Sequence, residues 1–76
     1  NLPFLNVDPQ ILQRVAASAA AQETVEFTYY SPHNREYTQR RADVHLLHNF
    51  MRDWYAVSFD QSKRVFRDFH VGRISD

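Results

Sequence analysis

The spacing of the apolar segments after Glu23 constrains this chain more than any other feature. Hydrophobic and polar residues alternate there in short segments, and stretches of about four turn-forming residues separate them. Connections this short cannot cross over a sheet, so successive strands must pair in antiparallel fashion. The predicted strands are 24–30, 37–48, 54–59 and 64–71, with a short closing segment at Arg73 and Ile74. They predict a strongly bent antiparallel sheet or a small barrel.

A helix is predicted ahead of the sheet, over about residues 8–22. Asp8 followed by Pro9 is typical of an N-cap and a first helical position. The apolar residues after them recur at helical spacing, at Ile11, Leu12, Val15 and Ala19. The expected fold class is therefore mainly β with one N-terminal helix, in a single domain spanning residues 1–76.

The charge of the chain is balanced overall but unevenly distributed. Nine Lys and Arg residues oppose nine Asp and Glu residues, which excludes attachment to nucleic acid by bulk positive charge. Residues 1–32 carry a net charge of −2 and residues 33–76 a net charge of +2, and Lys63 is the only lysine among the nine cations. Because guanidinium groups bind phosphate or carboxylate at two points, this bias favours recognition of an anion at defined positions.

Two features that the sequence lacks bear on the cellular compartment of the protein. The sequence has no Cys and no apolar run long enough to span a membrane. These features predict a cytoplasmic protein that has neither disulfides nor membrane contact.

Catalytic and metal-binding chemistry is not expected. The serines lie in no nucleophile motif, and a chain with one Gly cannot form a glycine-rich phosphate loop. Strict alternation along the second strand predicts that His45 and His48 lie on opposite faces, and that Val44 and Leu46 share the buried face. That strand then cannot present Asp43, His45 and His48 to one metal ion. We expect no enzyme activity, no metal site and no cofactor.

Arg67 is the most informative of the arginines. It falls on the apolar phase of its strand, with Val65 and Phe69, so its guanidinium is either paired inside the protein or directed at a ligand. From the residues alone, a structural salt bridge to Asp43, Asp68 or another acid is an equal alternative.

The aromatic residues also allow two interpretations. Trp54 and Tyr55, adjacent in a short strand, are typical of core residues. An exposed Tyr30 or Tyr55 beside an arginine could instead stack on a nucleobase.

Four stretches resemble the WYL domain, a family named for its Trp-Tyr-Leu signature and found in bacterial transcription regulators. VDPQILQRVAASAAAQETVEFTYYS is similar to the family's helix and first strand, and RRADVHLL to its Arg-x-Val-x-Pro-His stretch. DWYAVSFD resembles the signature strand, and RVFRDFHVGRI resembles the closing Arg-x-Phe-x-x-x-Arg-Ile segment. The chain departs from the family pattern at Ala42, Val44 and Ala56, where Val, Pro and Leu are usual.

The resemblance implies a fold and a function. The fold would be a small Sm-like or SH3-like antiparallel β-barrel behind the helix. The function would be that of a ligand-sensing domain that controls DNA binding by a transcription regulator, and RDFHVGRI is most similar to regulators of phage-defence loci. The implied ligand is an anion, a nucleotide or single-stranded nucleic acid. The implied binding residues are Tyr30, Ser31, Arg40, His45, Arg67 and Arg73, with Trp54 and Tyr55 as structural support.

The resemblance also implies flanking domains. Family members usually carry an N-terminal winged helix-turn-helix that contacts DNA, and the full-length protein is expected to be a homodimer. A start at Asn1 instead of Met favours a domain excised from a longer regulator. Two alternatives stay open: a dimerisation or interdomain interaction module without a small ligand, and a free-standing Sm-like RNA-binding module.

Overall fold

The computed structural model describes residues 7–76, so residues 1–6 of the predicted domain lie outside the described residues. Its elements are helix α1 (Pro9–Ala21), strands β1 (Thr24–Ser31), β2 (Glu36–Phe50), β3 (Asp53–Asp60) and β4 (Val65–His70), a 3-10 helix (Val71–Arg73) and strand β5 (Ile74–Ser75). The predicted order of one α-helix followed by antiparallel strands is confirmed.

Helix α1 begins and ends at residues with clear capping geometry. The Asp8 carboxylate accepts a hydrogen bond from the Gln10 N–H at 2.9 Å, and Pro9 lies in the first turn, where its missing N–H costs nothing. Val15 is fully buried against the sheet. The helix ends at Gln22, whose backbone is left-handed (φ 56°, ψ 45°). No helix in residues 7–76 is long and apolar enough to cross a membrane.

The strands form one antiparallel sheet in the order β4-β3-β2-β1-β5. Within the described residues β4 and β5 are the two edges, so the sheet is open and its ladders do not close the barrel that the resemblance implied. One side chain connects β1 and β4, which share no ladder. The Tyr29 hydroxyl of β1 accepts a hydrogen bond from the His70 N–H of β4 at 3.0 Å.

One face of the sheet, called the inner face, packs against α1 and forms the core. Three aromatic rings lie at its centre, those of Phe27, Tyr29 and Phe69, with edge-to-face contacts at centroid distances of 5.0 to 6.3 Å. The other buried core residues are Val15, Val25, Ala42, Val44, Ala56, Val71 and Ile74. The opposite side of the sheet is called the outer face.

The alternation of β2 is broken after Val44. The register with β3 shifts between Val44 and Leu46, so His45 is an extra residue in a β-bulge. Leu46 therefore lies on the outer face and is 51% exposed, and Leu47 packs against the core instead. The prediction that Leu46 shares the buried face of Val44 is wrong, since it assumed strict alternation.

The bulge also corrects the placement of two histidines. His48 stacks on Tyr55 at a centroid distance of 5.4 Å, and His45 lies against Phe66 at 5.2 Å, both on the outer face. The prediction that they lie on opposite faces is therefore wrong. Among residues 7–76, no group of three or more His, Asp or Glu side chains could hold a metal ion.

The hairpins turn without glycine. Arg35, Met51, Arg52 and Arg64 all have positive φ, whereas Gly72 does not. Two consecutive left-handed residues, Met51 and Arg52, are typical of a type I′ hairpin turn. Each left-handed residue with a Cβ atom costs about 1 kcal/mol of steric energy. The tight turns thus form at an energetic cost, which the packed core must offset.

The left-handed end of α1 gives a stability prediction. Gln22→Gly is expected to raise the free energy of unfolding by about 1 kcal/mol, because Gly adopts this conformation without a Cβ clash. In a domain of this size that corresponds to a rise in melting temperature of about 4–8 °C, measurable by circular dichroism. Gln22→Ala is the control, since it removes the same side chain but keeps the Cβ atom. An equal gain in both variants would contradict the argument.

Candidate ligand site around Asp60 and two arginines

A fully buried carboxylate lies at the end of β3. Asp60 has no exposed surface. Its Oδ1 accepts hydrogen bonds from the backbone N–H groups of Ser62 (2.9 Å) and Lys63 (3.2 Å), which shape the turn between β3 and β4. Its Oδ2 faces Arg40 and Arg67. One carboxylate therefore joins a turn, β2 and β4.

Arg40 is the buried partner of this carboxylate. Its Nη1 donates to Asp60 Oδ2 at 2.9 Å, and its Nε donates to the Thr38 hydroxyl at 3.0 Å. The guanidinium carbon lies 5.8 Å from the ring centroids of both Tyr29 and Phe69. Only 10% of the side chain is exposed. Arg40 is held on several sides, so its role is to neutralise Asp60 and to pack on the core.

Arg67 is held less completely. Its Nη1 lies 3.5 Å from Asp60 Oδ2, which is within ion-pair distance but long for a hydrogen bond. Its guanidinium carbon lies 5.2 Å from the centroid of the Phe69 ring. Its Nε is buried and finds no hydrogen-bond partner among residues 7–76, while 37% of the side chain is exposed. Arg67 therefore keeps hydrogen-bonding capacity that the protein does not use.

The ionisation of Asp60 follows from its surroundings. Burial pushes the pKa of Asp60 upward, because it disfavours the charged carboxylate. The N–H groups of Lys63 and Ser62, together with the charge and hydrogen bond of Arg40, outweigh burial, so the pKa of Asp60 lies below its ordinary value of 3.8. Two guanidinium groups then face one carboxylate, and the cluster carries a net charge of +1.

Two other predicted residues meet at a different place. Tyr30 and Arg73 line a cavity of about 270 Å³ together with Tyr37, Gly72, Ile74 and Ser75. The Tyr30 and Tyr37 rings lie 4.9 Å apart at a tilt of 50°. Ser31 is the next residue along β1, paired with Glu36. Aromatic rings beside an arginine suit a nucleobase and its phosphate.

The remaining predicted residues lie apart from both places. His45 is on the outer face and lines a second cavity, of about 340 Å³, between the C-terminal end of α1 and the bulge of β2. Trp54 is half-buried against the core, and its Nε1 has no hydrogen-bond partner within residues 7–76. Tyr55 lies on the outer face between His48 and His70. The six predicted binding residues thus fall into three places on the domain.

The sequence prediction missed Asp60, Phe69 and Tyr37 as parts of these sites. The predicted strand boundaries, 54–59 and 64–71, place Asp60 in a turn. Its position was nevertheless open to prediction, because Asp60 follows Ala56 and Ser58 at intervals of two and so shares their inner face. Tyr37 carried no such signal, since its approach to Tyr30 depends on the register of the first hairpin.

Comparison with known protein families identifies the family of this chain. The family model of the WYL domain matches residues 10–76. The chain belongs to the WYL domain family. The resemblance drawn from its four stretches is thereby confirmed. A comparison with curated proteins gave no match.

The fold of this WYL domain also has a solved counterpart. It is similar to proteasome accessory factor B/C (PafBC) of Arthrobacter aurescens, with a TM-score of 0.79 and 23% sequence identity. The alignment covers 95% of this chain and 12% of that chain. At this identity the likeness concerns the fold of the domain.

The unequal burial of the two arginines leads to a stability prediction. Arg40→Met is expected to lower the free energy of unfolding by about 3 kcal/mol, because it leaves a buried charge on Asp60 without its main partner. Arg67→Met is expected to cost less than about 1 kcal/mol, since that pair is longer and partly exposed. Urea denaturation at neutral pH measures both values. Equal losses would contradict the distinction between the two arginines.

The pKa of Asp60 leads to a prediction about acid. Because its pKa is lower in the folded protein than in the unfolded chain, the stabilisation is complete above about pH 4 and is lost as the pH falls through the folded pKa. Urea denaturation between about pH 6 and pH 2.5 should therefore show a larger loss for the wild type than for Asp60→Asn. The measured quantity is the change across this range, which is independent of the lower starting stability of the variant. Parallel profiles would contradict the assignment.

Proposed function

We propose that this WYL domain is the ligand-sensing part of a bacterial transcription regulator, and that it binds an anionic ligand through Arg67. The supporting observation is the incomplete pairing of that side chain. Asp60 lies 3.5 Å from Nη1 of Arg67, Nε has no hydrogen-bond partner among residues 7–76, and 37% of the side chain is exposed. A guanidinium with unused donors can bind an oxygen of a phosphate or carboxylate.

Arg40 does not itself contact the anion in this proposal, but it favours the binding of the anion to Arg67. Because its guanidinium is buried and bound to Asp60, Arg40 neutralises the carboxylate that would otherwise repel an anion. Phe69 lies beneath both guanidinium groups and holds them in place by cation–π contact. An anion at Arg67 therefore meets a preformed site with a net positive charge.

The cavity at Tyr30 and Arg73 suggests which kind of anion binds. Tyr37 is 70% exposed at this cavity and presents a ring on which a nucleobase can stack. Arg67 points to the inner face, whereas Tyr30 and Tyr37 point to the outer face, so a ligand that uses both places must be extended and must pass around the end of the sheet. We therefore favour a short single-stranded oligonucleotide over a mononucleotide. His45 takes no part, since it lines a different cavity, apart from both places.

In the full-length regulator the ligand would act on an equilibrium. Binding changes the population of two arrangements only if the ligand has different affinities for them. We propose that oligonucleotide binding favours one arrangement of a homodimer and so alters DNA binding by its helix-turn-helix domains.

Fluorescence polarisation with a labelled single-stranded thymidine oligonucleotide tests the proposal. The domain should bind more weakly at about 200 mM than at about 50 mM salt, and Arg67→Gln should lower the affinity at least about fivefold and reduce the salt slope by about one. Arg41→Gln is the matched control, since it removes the same charge from an exposed arginine that pairs with Glu26. Absence of binding at low salt, or equal losses in both variants, would contradict the proposal.

A further inference from the structure

The outer face of β2, β3 and β4 carries apolar side chains that no element in residues 7–76 covers. Helix α1 packs on the inner face, and Phe66 and Leu46 on the outer face are 63% and 51% exposed. Val57 and Phe59 extend this surface across β3. Monomeric proteins rarely leave contiguous apolar surface open, and such patches commonly mark interaction sites.

Ring contacts hold this surface in a fixed shape. Phe66 meets Phe59 edge-to-face at 5.2 Å and His45 at 5.2 Å. Further along the sheet, the Tyr55 ring lies between His48 and His70, at 5.4 and 5.1 Å. A partner would therefore meet a preformed surface and would spend little conformational entropy on ordering it.

The charge of this face is mainly negative. One arginine of β2, Arg41, faces outward and pairs with Glu26 of β1, whereas three carboxylates face outward on β2, β3 and β4. They are those of Asp43, of Asp53, which lies 3.6 Å from His70, and of Asp68, which lies 3.6 Å from His48. No outward-facing position of β3 or β4 holds Lys or Arg, because the arginine of these strands, Arg67, points inward. The apolar surface thus lies among acidic groups, although the chain as a whole is neutral.

This charge decides between possible occupants. A two-fold contact between two copies of the face would bring two surfaces of net negative charge together, which repels. The same net charge repels nucleic acid. A basic partner is attracted to them, and its arginines can also lie over the exposed ring of Phe66. The uncovered face of a sheet is most often covered by a helix.

We infer that the outer face docks an amphipathic helix of a partner protein, with Leu or aromatic residues on its contacting side and Arg or Lys along its flanks. Phe66 and Leu46 supply the apolar contact, and Asp53 and Asp68 fix the orientation of the helix through its basic flanks. This inference is independent of the ligand proposed for the Arg67 site.

Two synthetic helical peptides of about 18 residues test it by fluorescence polarisation, one with a leucine face and Arg flanks, the other with the same face and Glu flanks. The Arg peptide should bind the domain more tightly than the Glu peptide. Asp68→Lys should lower the affinity for the Arg peptide at least about fivefold and raise that for the Glu peptide. Phe66→Ser should lower the affinity for the Arg peptide about tenfold.

Two controls use residues away from Phe66 and Leu46. Tyr37→Ser removes another exposed aromatic ring, 70% exposed at the opposite end of β2 from Leu46, and should leave peptide binding unchanged. Arg67→Gln should also leave it unchanged, so failure of the ligand proposal is separable from failure here. Equal binding of the two peptides, no binding of either, or self-association of the domain that Phe66→Ser abolishes in sedimentation experiments would overturn the inference.

Discussion

The buried charge of Asp60 is the constraint on which most of the inner face depends. A carboxylate with no access to water is tolerated only when donors and an opposite charge surround it, and here they come from the following turn and from Arg40. These contacts fix the turn between β3 and β4 and tie β2 to β3. They also explain why an arginine, with its several donors, occupies position 40 inside a hydrophobic core.

Asp60 does not need Arg67 to balance its charge, because Arg40 already does so. The second guanidinium is therefore in excess, and its Nε has no hydrogen-bond partner among residues 7–76. The inner face is therefore a core that also holds one positive charge in excess. The outer face has the opposite character, with carboxylates among exposed rings. The net charge of zero is therefore a sum over an inner cluster with a positive charge and an outer face that is mainly negative.

Much of this could be predicted from the sequence. The capping of α1 at Asp8 and the antiparallel order followed from local chemistry and short connections, and the inward position of Arg67 followed from alternation. The bulge at His45 could not be predicted, because no glycine or other local signal marks it, and this one insertion exchanges the faces of every later residue of β2. The grouping of Tyr30 with Tyr37 depends on hairpin register, which alternation alone does not fix.

Strands β1 and β4 are joined differently from the other neighbouring strands, through the contact between Tyr29 and His70. Ladders of backbone hydrogen bonds join all neighbouring strands, whereas β1 and β4 meet through one hydroxyl and the edges of their aromatic rings. A single hydrogen bond of this kind contributes about 1 kcal/mol, far less than a strand ladder. The chain supplies a further connection here, because β4 leads through the 3-10 helix into β5, which pairs with β1. Because Arg67 lies on β4, its incompletely bonded guanidinium is carried by a strand that has a backbone ladder on one side only.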